Sequence, residues 1–208
     1  NLSGVGRNLQ DHPLLAGRVT AGYDMVDDDA DPTEQRNGLD DDADGLVDRA
    51  HGHGTFVAGV VVQIAPDVTV LPVRVLDAEG SSDMHAIVEG IDFAVEAGAH
   101  VINVSFGVAT KLESQRLEAA MKRAHAAGVL VVAAAGNGGD TQKHYPAAYP
   151  DVVSVAALAD PDVVKALDGR QPGEQFAGGE RFGDVVVRPV FERGDLALLL
   201  VSHGQDQY

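Results

Sequence analysis

Cysteine is absent from all 208 positions, which excludes disulfides, thiol catalysis and Cys-based zinc sites while leaving the compartment open. Tryptophan is absent too, and aromatic residues make up only 5% of the chain, so the core must be built from Val, Ala, Leu and Ile. That palette suits a parallel sheet covered by helices. No run reaches the roughly eighteen consecutive apolar residues of a membrane-spanning helix, so no membrane partner is expected. Basic residues are scarce, 15 Lys and Arg against 32 Asp and Glu, for a net charge of -17. Binding to a phosphate backbone depends on neutralisation by Lys and Arg, which makes nucleic acid a poor partner. An acidic surface attracts cations instead. A charged-then-apolar leader is also missing at Asn1, the pattern of a mature, truncated or cytosolic chain.

What is present fits one domain, or one domain with appendages. Hydrophobic residues at 45% and charged residues at 23% argue against wholesale disorder. The stretch that organises the rest is Gly52-His53-Gly54-Thr55-Phe56-Val57-Ala58-Gly59, followed by Val60-Val61-Val62. Two glycines and a threonine around one histidine, leading into small and β-branched residues, predict a tight turn entering a buried helix with the imidazole at its first turn. Partial positive charge at a helix N-terminus disfavours imidazolium, and a neutral imidazole is what a general base requires. Beyond it, Val68 to Leu76 reads as a strand whose Pro72 suits a bulge or an unpaired position. Asp77 to Ser82 reads as a turn with an N-cap at Ser81 or Ser82. Met84, Ile87, Val88, Ile91, Ala94 and Val95 mark an amphipathic helix ending near Gly98, and Leu117, Ala120, Met121 and Ala124 another stopped by Gly128. Val101–Val104, Val129–Ala135 and Val152–Leu158 read as further strands. Strand and helix alternating at this spacing predict an α/β fold, a right-handed parallel sheet with helices on both faces. Such sheets place their sites at the carboxyl ends of strands.

The octapeptide resembles the histidine motif of the subtilase (subtilisin-like) serine peptidases, Gly-His-Gly-Thr-x-Val-Ala-Gly, at every fixed position. The resemblance runs from about Asp11 to about Ala166. It implies a subtilisin-like fold, peptide-bond hydrolysis and an extended peptide or protein substrate. It also implies secretion, the usual compartment of the family. In that reading His53 is the catalytic base. Ala133-Ala134-Ala135-Gly136-Asn137-Gly138 resembles the family's Ala-Ala-Gly-Asn element, which gives Asn137 the role of oxyanion donor, with Ala135 and Gly136 beside the substrate. Val101 to Gly107 resembles the substrate-groove strand, in which Ser105, Phe106 and Gly107 line the peptide and Phe106 faces an apolar pocket.

The remaining catalytic motifs of the family are not found. Counting back from Asp11 by the family's spacing puts the aspartate of Asp-Thr/Ser-Gly at Val5, and none of the seven serines sits in Gly-Thr-Ser-x-Ala. In subtilisin, loss of serine or histidine alone costs about two-million-fold in turnover. The expectation is therefore an incomplete peptidase domain with little or no activity, or else a non-catalytic calcium-binding and peptide-binding α/β module, or a chimeric fragment without evolved function.

The acidic loop carries its own signal. Asp40-Asp41-Asp42-Ala43-Asp44-Gly45-Leu46-Val47-Asp48 contains Asp-x-Asp-x-Asp-Gly-x-x-Asp, an EF-hand-like spacing in which Asp40, Asp42, Asp44, Asp48 and the Leu46 carbonyl wrap one Ca²⁺. His51 stands where a bidentate Glu is usual, which weakens the site. At the amino end, Leu2 to Pro13 resembles a short segment of the glucose-methanol-choline oxidoreductases, but Leu9 occupies the third-glycine position of a dinucleotide fingerprint and no flavin site is expected. The chain thus divides into residues 1–13, a partial peptidase domain over 14–167, and a linker and tail over 168–208. In the tail, 184–191 and 196–201 predict a C-terminal strand hairpin. Apolar faces left by the incomplete sheet call for cover by the tail or by an oligomer.

Overall fold

The structure, a computed structural model, describes residues 12–107, 114–136, 143–156 and, as backbone, 196–200. Among the described residues nine elements follow one another: β1 (Tyr23–Asp24), α1 (His53–Ile64), β2 (Thr69–Arg74), α2 (Met84–Glu96), β3 (Val101–Val104), α3 (Ser114–Ala126), β4 (Leu130–Ala134), β5 (Val152–Val155) and β6 (Leu196–Leu200). The strands form one sheet in the order β1-β2-β6-β3-β4-β5, and every strand pair is parallel. Because all strands run the same way, all their carboxyl ends share one edge.

The two faces are covered unequally. Leu71 and Val73 of β2, Ile102 and Val104 of β3, and Val131 and Ala133 of β4 pack with Ile87, Ile91 and Ala94 of α2 and with Leu117, Ala120, Met121 and Ala124 of α3. Ile91, Ile102 and Leu117 are wholly buried there, worth about 1.5–3 kcal/mol each. On the opposite face α1 packs Ala58 and Val62 with Leu15, Val68 and Val70. Strand alternation explains the division, since Val70 and Leu71 point to opposite sides of the same strand.

Local chemistry sets the boundaries. The cap of α2 is Asp83, whose carboxylate accepts the Ala86 N–H at 2.8 Å; the expected caps Ser81 and Ser82 lie outside the helix, and the Ser82 hydroxyl donates to the Val75 carbonyl instead. Asp83 prevails because it directly precedes the first helical residue, where a carboxylate also meets the helix dipole. Pro72 lies within β2 rather than at a bulge. Its neighbours Val70 and Arg74 bond to the β1 side, through Val70 N to Arg18 O at 2.7 Å and Met25 N to Arg74 O at 2.8 Å, so the N–H that Pro72 lacks would have pointed the same way. The pairing on that side is accordingly broken into a bridge at Val19 and the two-residue β1.

The tail departs from the sequence reading. Leu196–Leu200 is a strand, but it lies inside the central sheet, parallel to β2 on one edge and to β3 on the other. Both its edges are taken, so it is not an arm of a hairpin; 184–191 lies outside the described residues. The unbroken Leu-Ala-Leu-Leu-Leu run suits this position, because central parallel strands are apolar on both faces.

Candidate active site and acidic loop

His53 is the first residue of α1, as the octapeptide predicts. The turn before it places Gly52 at φ 84°, with Phe56 N donating to Gly52 O at 3.0 Å. The approach to this turn is pinned from several directions. Ala50 N donates to Ala78 O at 2.8 Å, and Asp48 N donates to Glu79 Oε1 at 2.6 Å, tying the segment to the loop just past the carboxyl end of β2. Gly52 N donates to Glu34 Oε2 at 2.6 Å. These bonds fix the start of α1, and with it His53, at the carboxyl edge of the sheet.

The two strand ends expected to receive a peptide are neighbours, since Val104 of β3 is in register with Ala133 of β4. Ser105 and Gly107 follow β3, and the Ser105 hydroxyl accepts from Asn103 Nδ2 at 2.9 Å. Ala135 and Gly136 follow β4; Ala135 N donates to Val155 O at 2.8 Å, and Gly136 adopts φ 99°. A side chain that the sequence reading missed backs both ends. A Cβ added to Gly107 would lie 3.6 Å from His144 Cβ, and one added to Gly136 would lie 2.8 Å from His144 Cδ2. No motif flagged His144, because the contact arises only when β3 and β4 pair.

Phe106 is corrected by the structure. It is 6% exposed and belongs to the core cluster beneath α2 and α3, so it does not face a substrate pocket. Strand alternation again gives the reason: Val104 and Phe106 share the buried side, whereas Ser105 lies between them on the other. Asn137, the residue after Gly136, lies outside the described residues.

In the acidic loop, Asp40, Asp42 and Asp44 each offer a carboxylate oxygen within 4.8 Å of the others, all three exposed. The loop is wound around them by backbone donors. Asp44 N bonds Asp40 Oδ1 at 3.0 Å, Gly45 N bonds Asp40 Oδ2 at 3.0 Å, and Leu46 N bonds Asp44 Oδ1 at 2.8 Å. The Arg49 guanidinium lies on this group, 2.6 Å from Asp44 Oδ2 and 3.8 Å from Asp42 Oδ2. Asp48 does not join it. At 5% exposure its carboxylate accepts the N–H groups of Asn37 and Gly38, both at 3.1 Å, and closes the base of the loop. Two backbone donors satisfy that buried charge better than a share in an exposed cluster. Glu79, 4% exposed, is likewise occupied by backbone N–H groups of residues 48 and 49.

The profile of the subtilase family matches residues 3–190. The chain belongs to this family. Among curated relatives of this subtilase, Thermitase of Thermoactinomyces vulgaris is 38% identical over 161 residues, covering 73% of the chain and 52% of Thermitase. A thermophilic serine proteinase of Bacillus sp. (strain AK1) is 37% identical over 157 residues, covering 71% of the chain and 35% of that protein. Among solved structures, a lanthipeptide protease is similar with a TM-score of 0.58 at 31% identity, over 70% of the chain and 44% of the protease. The subtilase chain thus spans at most about half the length of these relatives. The subtilisin-like α/β fold is shared.

Proposed function

We propose that this chain is a subtilisin-like serine endopeptidase domain that retains its base and its substrate walls but lacks its own nucleophile motif. His53 is the general base, Asn137 the oxyanion donor, and an extended peptide or protein substrate lies against Ser105, Gly107, Ala135 and Gly136. The observation that carries this reading is the meeting of the β3 and β4 ends at the same edge of the sheet where α1 begins with His53. Strand ends that stop pairing leave backbone donors and acceptors for an added strand. Gly-Thr-Ser-x-Ala and Asp-Thr/Ser-Gly, the motifs that supply the family's nucleophile and the aspartate that orients the imidazole, are not found in this sequence. The chain by itself therefore binds peptides and does not cleave them.

We assign Asp40, Asp42 and Asp44 as ligands of a structural Ca²⁺. Their hard oxygen donors fit that ion, and Arg49 already brings a cation to the same group. The ion would brace the loop that leads through Asp48 and Glu79 to the start of α1. Secretion is the compartment we infer, although the names of relatives include both extracellular and intracellular proteases.

The test combines a fluorophosphonate probe, a chromogenic peptide and fluorescence anisotropy with a labelled extended peptide. The expected result is no labelling and no turnover, with measurable peptide binding. Turnover that disappears in His53→Ala shows a complete catalytic apparatus and refutes the incompleteness. A chain that neither binds peptide nor unfolds cooperatively is the chimeric fragment.

A further inference from the structure

Among the described residues, one face of the sheet has no helix over half its width. On β4 and β5 the side chains alternate, with Val131, Ala133 and Val152 in the core under α2 and α3. Their neighbours on the other side, Leu130, Val153 and Val155, are 46%, 45% and 51% exposed. The register places Val153 beside Val132 and Val155 beside Ala134, so this surface is continuous and wholly apolar across the two strands. Among the described residues, α1 covers the same face near β2 and β6. On α1, Phe56, Val60 and Ile64 are also exposed, at i, i+4 and i+8. Apolar rows of this kind on an edge strand are usually covered.

The topology indicates what covers it. β2 to β3 through α2, and β3 to β4 through α3, both advance along the sheet in one direction with their helices on the same face. β5 to β6 runs in the reverse direction, from the edge back past β4 and β3. A crossover of the same hand that travels the opposite way must cross the opposite face, which is the one that carries Leu130, Val153 and Val155. The β1–α1–β2 crossover advances with α2 and α3 yet lies on that opposite face, so hand alone is not decisive here. Hand and exposure together select one segment. We propose that Leu130, Val153 and Val155 form the docking surface for this chain's own residues 157–195, the link between β5 and β6. The link is long enough to return from the carboxyl to the amino edge, and Val163, Val164, Leu167, Val185, Val186, Val187 and Phe191 supply matching apolar side chains. Tethering at both ends to one sheet gives it an effective concentration that a second copy lacks.

The absence of cysteine permits a direct test on the full chain. Leu130→Cys and Val155→Cys are made singly, with Ala119→Cys on the exposed side of α3 as the reference, and maleimide labelling rates are measured at several protein concentrations. Each is then charged with benzophenone maleimide, irradiated and mapped by mass spectrometry. The expected result is labelling at 130 and 155 about 100-fold slower than at 119, independent of concentration, with photoadducts in peptides from 157–195. Labelling as fast as at 119 overturns the proposal. Protection that grows with concentration, or adducts on a second chain or outside 157–195, identifies another occupant and also overturns it. Because two sites are tested, failure of one variant to fold leaves the other to decide.

Discussion

The carboxylate of Glu34 receives the backbone N–H of Gly52 at 2.6 Å, one residue before the histidine that opens α1. The same Oε2 lies 3.4 Å from His51 Nδ1. Burial pushes the Glu34 carboxyl up to about 7, against the opposing pull of the Gly52 N–H and Arg74. Burial also holds the His51 imidazole below its usual value. Near pH 6 the Glu34 carboxyl therefore still holds its proton in most molecules, and burial works against charge on both partners.

A carboxyl whose folded value exceeds its unfolded one lets the native state hold a proton that the unfolded chain has lost. Stability from Glu34 is therefore fully present below about pH 4.5, declines as the pH rises to about 7, and stays lost above it. The shift corresponds to about 3 kcal/mol, as an order of magnitude. Glu34→Gln keeps an oxygen for Gly52 and removes the titration. Its stability relative to the parent, from urea unfolding between pH 4.5 and 7.5, should rise with pH. A difference that stays flat across that range would show that Glu34 carries no unusual proton.

Gly136 and His144 define a second measurable relationship. At φ 99° and with a Cβ only 2.8 Å from His144 Cδ2, Gly136→Ala meets both a backbone penalty and a clash. The backbone part alone costs roughly 1–2 kcal/mol. His144→Ala should recover the steric part and leave the backbone part, which a double-mutant cycle on thermal unfolding separates. If the glycine walls a peptide groove, Gly136→Ala also weakens anisotropy-detected peptide binding. Equal penalties with and without His144 would mean that the imidazole yields freely.

Much of this was readable from the sequence where one element determines it. The period of Ile87, Ile91 and Ala94 gave α2, and the octapeptide placed His53 at a helix start because both depend only on neighbours in the chain. What escaped depends on partners distant in sequence. Asp48 looks like a ligand by spacing, yet Asn37 and Gly38 claim it. Phe106 looks like a pocket wall, yet strand parity sends it into the core. Leu196–Leu200 looks like half a hairpin, but the vacancy between β2 and β3 that it fills has no signature in its own residues. Neither His144 nor Glu34 belongs to a pattern, because each acquires its role from backbone brought to it by the fold.

The acidic loop should respond to calcium. Binding to the native state alone stabilises by about 2.7 kcal/mol when free Ca²⁺ is 100 times Kd, so the melting temperature should rise by several degrees in millimolar Ca²⁺. Asp42→Asn should abolish most of the rise. Arg49→Ala removes the guanidinium that competes for Asp44 and should tighten the site. Magnesium serves as the control, since it dehydrates reluctantly and demands a stricter geometry. A melting temperature indifferent to Ca²⁺, with no heat in calorimetry, would leave the cluster as a solvated loop held by Arg49.

Gly22 is the tightest backbone approach among the described glycines. A Cβ there would stand 1.9 Å from the Pro72 carbonyl oxygen and 2.7 Å from Pro72 Cγ. The first of these is backbone inside β2 and cannot move without shifting the strand. Gly22→Ala should therefore cost about 3 kcal/mol, the upper end for overpacking. The damage should concentrate on β1, whose Asp24 is buried and bonds Arg74 Nη1 at 2.6 Å. Separating that pair strands a charge that Arg74 now neutralises, so the loss should exceed that of Ala replacing Gly17, where nothing lies within 4 Å and only the positive φ resists. Hydrogen exchange would localise the effect to Val19–Met25 and their β2 partners. Equal costs for the two substitutions would show that β1 detaches from the sheet without consequence for the rest.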